Sequence, residues 1–169
     1  YELLSLAEKS GLAIEDMAVI WNMTRYPLEI VKLIRTTEEG TIYFEQAELV
    51  SATVNNQYAL VRVIDLTYES DLAGETVTNL ERMRQGYAAI DPLTGEAYQL
   101  HHIGQSVDSP LAILTRAEHM SGGNNSILHD VSIADGQGVH SILSDAEWAA
   151  QREDFWRAFA EVAAKGGIK

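Results

Sequence analysis

The histidines of this chain are clustered in a way that predicts a functional site. The 169-residue sequence has five histidines, and none lies among its first hundred residues. Two are adjacent, His101 and His102, and the others follow at His119, His129 and His140. Imidazole is the commonest metal ligand of proteins and the usual proton acceptor near neutral pH. The cluster therefore indicates a metal site, a general base, or both.

The absence of cysteine limits the kinds of residue that could bind a metal in this protein. With no cysteine in the sequence, disulfides, thiolate zinc sites and cysteine nucleophiles are excluded. A metal must be bound by histidine, carboxylate or amide groups. Adjacent residues of a strand point to opposite faces, so one histidine of the pair can face a metal while its neighbour faces the reacting centre. A metal with open positions can bind a scissile phosphate, and a neutral histidine can take a proton from attacking water.

The elements that must position these histidines follow a β-β-α order. Residues 97–100 predict a short strand that delivers the adjacent pair, and residues 109–114 predict a second strand. Thr115 and Glu118 have the spacing of a capping box, so a helix begins at once and His119 falls within it. This order is typical of a ββα metal site, in which helix-borne histidines complete the ligand set.

The first third of the sequence predicts helices followed by a hairpin. Apolar residues have helical spacing over 3–7, 14–21 and 27–34. Residues 41–54 and 58–64 read as strands joined by a turn at Asn55 and Asn56. Residues 65–75 are polar and irregular. We therefore predict a module boundary between residues 64 and 65, which leaves the role of residues 1–64 open.

Two further helices are predicted beyond this boundary. Residues 78–83 predict a short helix that Gly86 ends. Ser144 and Glu147 form another capping box, which begins a long C-terminal helix. Its aromatic residues are predicted to lie in the core rather than to stack on nucleotides: Trp148, Phe155, Trp156 and Phe159.

Composition fits a globular protein but argues against easy nucleic-acid binding. The hydrophobic fraction is 46% and the charged fraction 22%, and no apolar run approaches the roughly 20 residues that span a bilayer. The start of the chain has no signal peptide and no initiator methionine, so we expect a module of a longer protein. The net charge is -13, most of it after residue 64, whereas proteins that hold phosphates usually present a basic surface.

Four motifs carry a resemblance to one nuclease family. They are Thr-Asn-Leu-Glu-Arg-Met at 78–83, Leu-His-His-Ile-Gly-Gln at 100–105, Leu-Thr-Arg-Ala-Glu-His at 114–119, and Gly-Gly-Asn-Asn-x-x-Leu-His at 122–129. Through them, residues 64–159 resemble the LHH family of the HNH/endonuclease VII superfamily. The resemblance implies an α+β fold in which a treble-clef-like ββα-metal core with flanking helices forms a nuclease domain over residues 65–169.

The resemblance also implies a function. LHH domains typically form the C-terminal toxic module of bacterial polymorphic toxins, which a cognate immunity protein neutralises. A metal-dependent DNA endonuclease without marked sequence specificity is therefore expected, as the C-terminal part of a larger secreted protein that acts in the cytoplasm of a target bacterium. The expected cofactor is a divalent metal ion, either zinc or, for turnover, magnesium, manganese or nickel.

By analogy with related sites, the resemblance implies roles for four histidines. His101 is expected to bind the metal together with His119 and His129, and His102 is expected to be the general base. His140 is predicted to lie in a surface loop.

Four polar residues near these motifs are predicted to contact the substrate. They are Gln105, Arg116, Asn124 and Asn125, and the two asparagines could equally serve only as turn residues.

Two alternatives remain open at this point. An RNase could use the same site, because a ββα-metal framework contacts backbone phosphate. Alternatively, the chain could be a non-catalytic module whose histidines bind a structural zinc and whose first 64 residues form a winged helix or a protein-docking element.

Overall fold

A computed structural model describes residues 14–106, 108–129 and 144–166 of the chain. The helix predicted over residues 3–7 and the loop around His140 lie outside these ranges. The mixture of helices and strands confirms the predicted α+β class. The elements in chain order are α1 (Ile14–Thr24), α2 (Leu28–Val31), α3 (Thr37–Thr41), a π-helix (Ile42–Gln46), β1 (Val50–Val54), β2 (Gln57–Val61), β3 (Glu69–Leu72), β4 (Glu75–Thr78), α4 (Asn79–Arg84), β5 (Gln99–His102), β6 (Leu111–Leu114), α5 (Arg116–Met120), α6 (Asn124–Leu128) and α7 (Asp145–Ala164).

The strand predicted from residue 41 is wrong over its first part. Helix α3 begins where the Thr36 side chain accepts a hydrogen bond from the Glu39 amide, and it runs directly into the π-helix. The β-branched and aromatic residues Ile42 and Tyr43 suggest a strand, but both are buried. A half-buried strand would expose one of two adjacent side chains, whereas a helical backbone can bury both.

Four strands form the main sheet in the order β1-β2-β6-β5. The predicted hairpin turn is confirmed, because Asn55 and Asn56 have φ angles of 55° and 63° between β1 and β2. Strand β2 pairs in parallel with β6 through Leu60 and Ala112, and β6 pairs antiparallel with β5. The sheet therefore includes strands from both sides of residue 64. That residues 1–64 and 65–169 are separate modules stays a prediction.

The polar segment predicted to be irregular contains strand β3 and the first residue of β4, which together form a second, two-stranded sheet. Strands β3 and β4 pair antiparallel around Ala73 and Gly74, which have φ angles of 53° and 89°. The residues of β3 are exposed or half-buried along its whole length. A strand with no buried face has no hydrophobic alternation, which is why the sequence does not reveal it.

Alternation along β6 separates two hydrophobic cores, one on each face of the main sheet. Ala112 and Leu114 belong to a core formed with α1, α2 and the π-helix. Leu111 and Ile113 belong to the other core, which contains the buried residues of α4 and α7. Because side chains alternate between faces along a strand, the N-terminal helices cover one face of the sheet and α7 covers the other.

Helix α7 begins at the predicted Ser144–Glu147 capping box. Its residues Phe155, Trp156 and Phe159 are buried, as predicted. Trp148 is only partly buried and lies at the edge of the same core. Among the described residues, no helix is both long and apolar enough to cross a membrane.

Asn79, the first residue of α4, is expected to be a large local contributor to stability. Its side chain is fully buried. The amide nitrogen donates to the Asp65 and Ile90 carbonyls at 2.9 Å each, and its oxygen accepts from the Ile90 amide at 2.8 Å. Asn79→Ala leaves these backbone groups without partners and should lower the free energy of unfolding by about 3 kcal/mol. Urea denaturation measures this loss. Gln85→Ala, at an exposed position just after α4, is the control, and equal losses in the two variants would contradict the assignment.

Candidate active site and metal centre

Strand β5 presents the two adjacent histidines to opposite faces of the main sheet. His101 pairs with Ala112 and His102 with Leu111, and Ala112 and Leu111 belong to different cores. His101 therefore faces the N-terminal layer and His102 faces helix α7. Both side chains are almost completely buried, with exposures of 3% and 5%.

Three histidines converge on the His101 face. His119 lies on α5, which begins at the predicted Thr115–Glu118 capping box, and His129 is the residue that ends α6. The ring centroids of His101, His119 and His129 are 4.9–5.0 Å from one another. One nitrogen from each ring lies within 4.8 Å of the other two. The structure thus brings together the three histidines that the sequence analysis assigned to a metal.

Hydrogen bonds identify the nitrogens that face the centre of this triad. His129 Nδ1 lies 2.8 Å from the Asn125 carbonyl oxygen, and His119 Nδ1 lies 2.8 Å from Gln99 Oε1. Both oxygens are acceptors, so each Nδ1 carries the hydrogen and Nε2 carries the lone pair. His101 Nε2 is buried and has no hydrogen-bond partner among the described residues. A buried nitrogen of this kind fits a metal ligand, because an unpaired buried polar atom is otherwise costly.

Burial keeps the His101 ring neutral. Desolvation lowers the pKa of His101 well below its ordinary value, and repulsion by His119, His129, His102 and Arg35 acts in the same direction. A neutral imidazole is the form that binds a metal.

The second histidine of the pair has different neighbours. His102 Nε2 lies 2.8 Å from Gln151 Oε1. The His102 ring also packs against the Trp148 indole, with ring centroids 4.8 Å apart. Because the glutamine oxygen accepts the Nε2 hydrogen, Nδ1 is the basic nitrogen of the neutral ring. Helix α7 therefore determines which nitrogen of His102 can accept a proton.

All four histidines line one cavity of about 550 Å³. Its walls also include Tyr87 and Gln105, and helix α7 contributes Trp148 and Arg152. In the part of the chain that the structure describes, Arg152 is the only lysine or arginine in this lining, and its guanidinium lies 4.9 Å from the centre of the Trp148 ring. The cavity combines candidate metal ligands, a candidate base and one permanent cation.

The four predicted substrate contacts lie in different environments. Gln105 lines the cavity, whereas Arg116 is exposed and is not part of the lining. Asn124 is buried, and its amide nitrogen donates to Gln46 Oε1 at 3.0 Å and to the Glu118 carbonyl at 2.8 Å. These bonds favour a structural role for Asn124. The Asn125 side chain is exposed, while its carbonyl orients His129.

Sequence reasoning missed the residues that orient the histidines. Gln99 lies two positions before His101 and therefore on the same face of β5, a placement that period-two alternation could have revealed. Gln151 lies three positions after Trp148 and so on the same side of α7. Nothing in the sequence links Gln151 to His102, because that contact joins elements 49 residues apart.

The pKa of His101 predicts a pH dependence of stability for the metal-free protein. The unfolded chain takes up a proton at His101 below a pH of about 6.5, whereas the folded state excludes it. The contribution of this residue to stability is therefore complete above that pH and is lost as the pH falls, by up to about 1.4 kcal/mol per pH unit. Urea unfolding at several pH values should show a shallower decline for His101→Leu than for the wild type. Parallel curves would contradict the assignment.

One family model matches the chain, and its range coincides with the site. The model, described as a nuclease of the HNH/ENDO VII superfamily with conserved LHH, matches residues 78–162, just over half of the chain. No curated protein and no solved structure matches significantly. The matched range runs from the cap of α4 through β5, β6 and all four cavity histidines to α7, and Leu100-His101-His102 supplies the Leu-His-His motif. The chain belongs to the LHH family of nucleases in the HNH/ENDO VII superfamily.

Proposed function

We propose that this chain is a metal-dependent endonuclease that hydrolyses phosphodiester bonds in DNA without marked sequence specificity. The observation that carries the proposal is the arrangement of the four cavity histidines. Three of them form a triad, and the fourth is held separately beside it. In this proposal β5, β6 and α5 form the ββα-metal core, and the LHH family membership supports the reaction class.

His101, His119 and His129 would hold the metal. Three nitrogen ligands leave an open coordination position, which distinguishes a catalytic zinc site from a closed structural one. All-nitrogen ligation suits zinc or nickel, and magnesium or manganese are the alternatives for turnover. When bound, such an ion supplies Lewis-acid stabilisation of the charge that develops on the phosphate and on the leaving oxygen.

His102 is the proposed general base. Its Nδ1 would accept a proton from water as the water oxygen attacks phosphorus, and the bond between phosphorus and the leaving oxygen breaks. Gln151 accepts the hydrogen of Nε2 and so leaves the lone pair on Nδ1 in the neutral ring, before the proton is transferred. Trp148 packs against the same ring.

The substrate phosphates would be held by few groups. Arg152 supplies the fixed positive charge of the cavity lining, and its contact with Trp148 limits the orientations of the guanidinium. Gln105 lines the same cavity and adds an amide group. In this proposal both groups contact backbone phosphate, which carries no sequence information, and cleavage is therefore without marked sequence specificity. Contact of Arg116 and Asn125 with more distant phosphates stays a prediction.

The placement of His102 argues against the alternative of a purely structural zinc. A structural site needs ligands alone, yet His102 is buried on the opposite face of β5, bonded to Gln151 and facing the same cavity. A base next to a three-ligand centre is the arrangement that hydrolysis requires.

The first test is cleavage of supercoiled plasmid by the purified protein with zinc, magnesium, manganese or nickel, or with EDTA. We expect metal-dependent nicking that EDTA abolishes. His102→Ala should lower the rate at least about 100-fold, because it removes the base but no triad ligand. Zinc binding by this variant, measured by competition with a chromogenic chelator, should match that of the wild type. Arg84→Ala, at an exposed ion pair on α4, is the activity control.

Other outcomes of this experiment separate the alternatives. If the plasmid stayed intact while RNA was degraded, the substrate would be RNA instead of DNA. Tight zinc binding without cleavage of either nucleic acid would favour the non-catalytic module. Full activity of His102→Ala would refute its role as the base.

We further propose that the nuclease is the toxic module of a larger secreted protein, delivered into the cytoplasm of a target bacterium and neutralised by an immunity protein. The LHH resemblance supports this role. With a net charge of -13, the chain would be matched by an immunity protein with basic patches on its binding surface, because complementary charge favours association.

Toxicity should be visible on expression. Induction of the wild-type chain in the bacterial cytoplasm should arrest growth, and His102→Ala should relieve the arrest at equal protein level. Immunoblotting establishes the levels, and Arg84→Ala should remain toxic. Full-level expression of an active wild type without any growth defect would argue against a toxin. An immunity protein with an acidic binding face would contradict the charge argument.

A further inference from the structure

Arg35 and Glu39, in the N-terminal region, form an ion pair that contacts the helix preceding His129. This pair has no part in the proposed reaction. The Glu39 side chain is fully buried, and its Oε1 lies 3.5 Å from Arg35 Nε. Burial raises the pKa of Glu39, while hydrogen bonds from Tyr43 and Arg35 oppose this effect. Burying a charge is costly even when it is paired, so the position of this pair calls for an explanation.

Arg35 connects the pair to the residue that precedes His129. Its Nη2 donates to the Leu128 carbonyl at 2.8 Å and to the Ile127 carbonyl at 3.2 Å. These carbonyls lie at the C-terminal end of α6, where backbone acceptors have no partner within the helix. His129 follows immediately, so the guanidinium fixes the backbone from which this ring projects.

Glu39 fixes Arg35 in turn. Its Oε1 accepts from the Arg35 amide at 3.2 Å, and its Oε2 accepts from the Tyr43 hydroxyl at 2.7 Å. The Tyr43 ring lies 6.4 Å from the ring of His101, centre to centre. The same hydrogen-bonded group thus reaches two members of the triad, His129 through backbone and His101 through ring packing.

Gln46 supports the other end of α6. Its side-chain oxygen accepts a hydrogen bond from Asn124, the first residue of that helix. Asn124 also donates to the carbonyl of Glu118, the residue before His119 on α5. Both Tyr43 and Gln46 belong to the π-helix, a rare conformation that is frequent at functional sites.

We propose that Arg35, Glu39, Tyr43 and Gln46, here called the Arg35 network, belong to the metal centre, with Arg35 the positioning residue for His129. This inference rests on the proposed metal site. It gives residues 35–46 a role in metal binding in place of the winged-helix or docking role. Lysine cannot substitute, because only the planar guanidinium donates to two carbonyls while pairing with a carboxylate.

The test is the zinc affinity of Arg35→Lys and Arg35→Met, measured by chelator competition at fixed pH. We expect zinc binding about 10- to 100-fold weaker than in the wild type, the range typical of residues that orient a metal-binding histidine. Arg84→Lys and Arg84→Met are the matched controls, because the Arg84–Glu161 pair is half-exposed and neither residue belongs to the cavity lining. Both controls should bind zinc as the wild type does.

A double-mutant cycle separates positioning of His129 from general loosening of the fold. In a His129→Ala background, Arg35→Lys should have little further effect on zinc affinity, because the ring that it positions is gone. Circular dichroism and a cooperative thermal transition establish folding, and Arg35→Lys carries the test if Arg35→Met does not fold. An equal loss of affinity in both backgrounds, or no loss in either, would overturn the role of Arg35.

The same titrations distinguish this inference from the function on which it rests. A wild type that binds no zinc, or one whose affinity His129→Ala leaves unchanged, would refute the triad and the Arg35 network with it. Wild-type binding that His129→Ala weakens and Arg35→Lys does not would refute the Arg35 network alone.

Discussion

The structure around the site depends on one constraint, which is that three imidazole rings share a partly buried space with one nitrogen of each within 4.8 Å of the other two. Polar nitrogens so close together are poorly solvated, so the arrangement is costly unless each ring is held from outside. Gln99 and the Asn125 carbonyl hold the Nδ1 hydrogens of two rings, and packing holds the third, His101. These groups lie within the matched range, whereas Tyr43, whose ring lies 6.4 Å from that of His101, belongs to the N-terminal part outside it.

Strand alternation separates the two chemical roles. Because His101 and His102 are adjacent on β5, one faces the N-terminal core and the triad while the other faces α7. Buried faces on both sides fix the register, since a shift by one residue would exchange the two rings. The proposed metal ligand and the proposed base are thus close in space but face different layers. Each can be oriented by its own partner without competition from the other.

Structure that is determined by neighbouring residues was predictable from the sequence, whereas contacts between distant residues were not. Capping boxes at Thr115 and Ser144 and the Asn55–Asn56 turn are set by residues within four positions, and all three are present. Residues 41–46 adopt helical structure because two adjacent side chains are buried there by distant partners. Residue type alone indicated a cluster of histidines, and the resemblance to the LHH family implied which three would lie together. Gln99 holds His119 from 20 positions away and meets it only when β5 and α5 pack together, and the role proposed for Arg35 likewise depends on a contact between distant elements.

The acidity of the chain and the low pKa of His101 together bear on how a polyanion enters this cavity. A net charge of -13 repels nucleic acid at long range, and burial keeps His101 uncharged. Arg152 is the single lysine or arginine of the cavity lining within the described ranges. A divalent cation on the triad would add two positive charges at the point where phosphate must sit, and bound ions are often the largest local charges in a site. In the proposed function, metal loading and substrate binding would therefore be coupled through charge, and the metal-free protein would bind DNA weakly as well as lack nuclease activity.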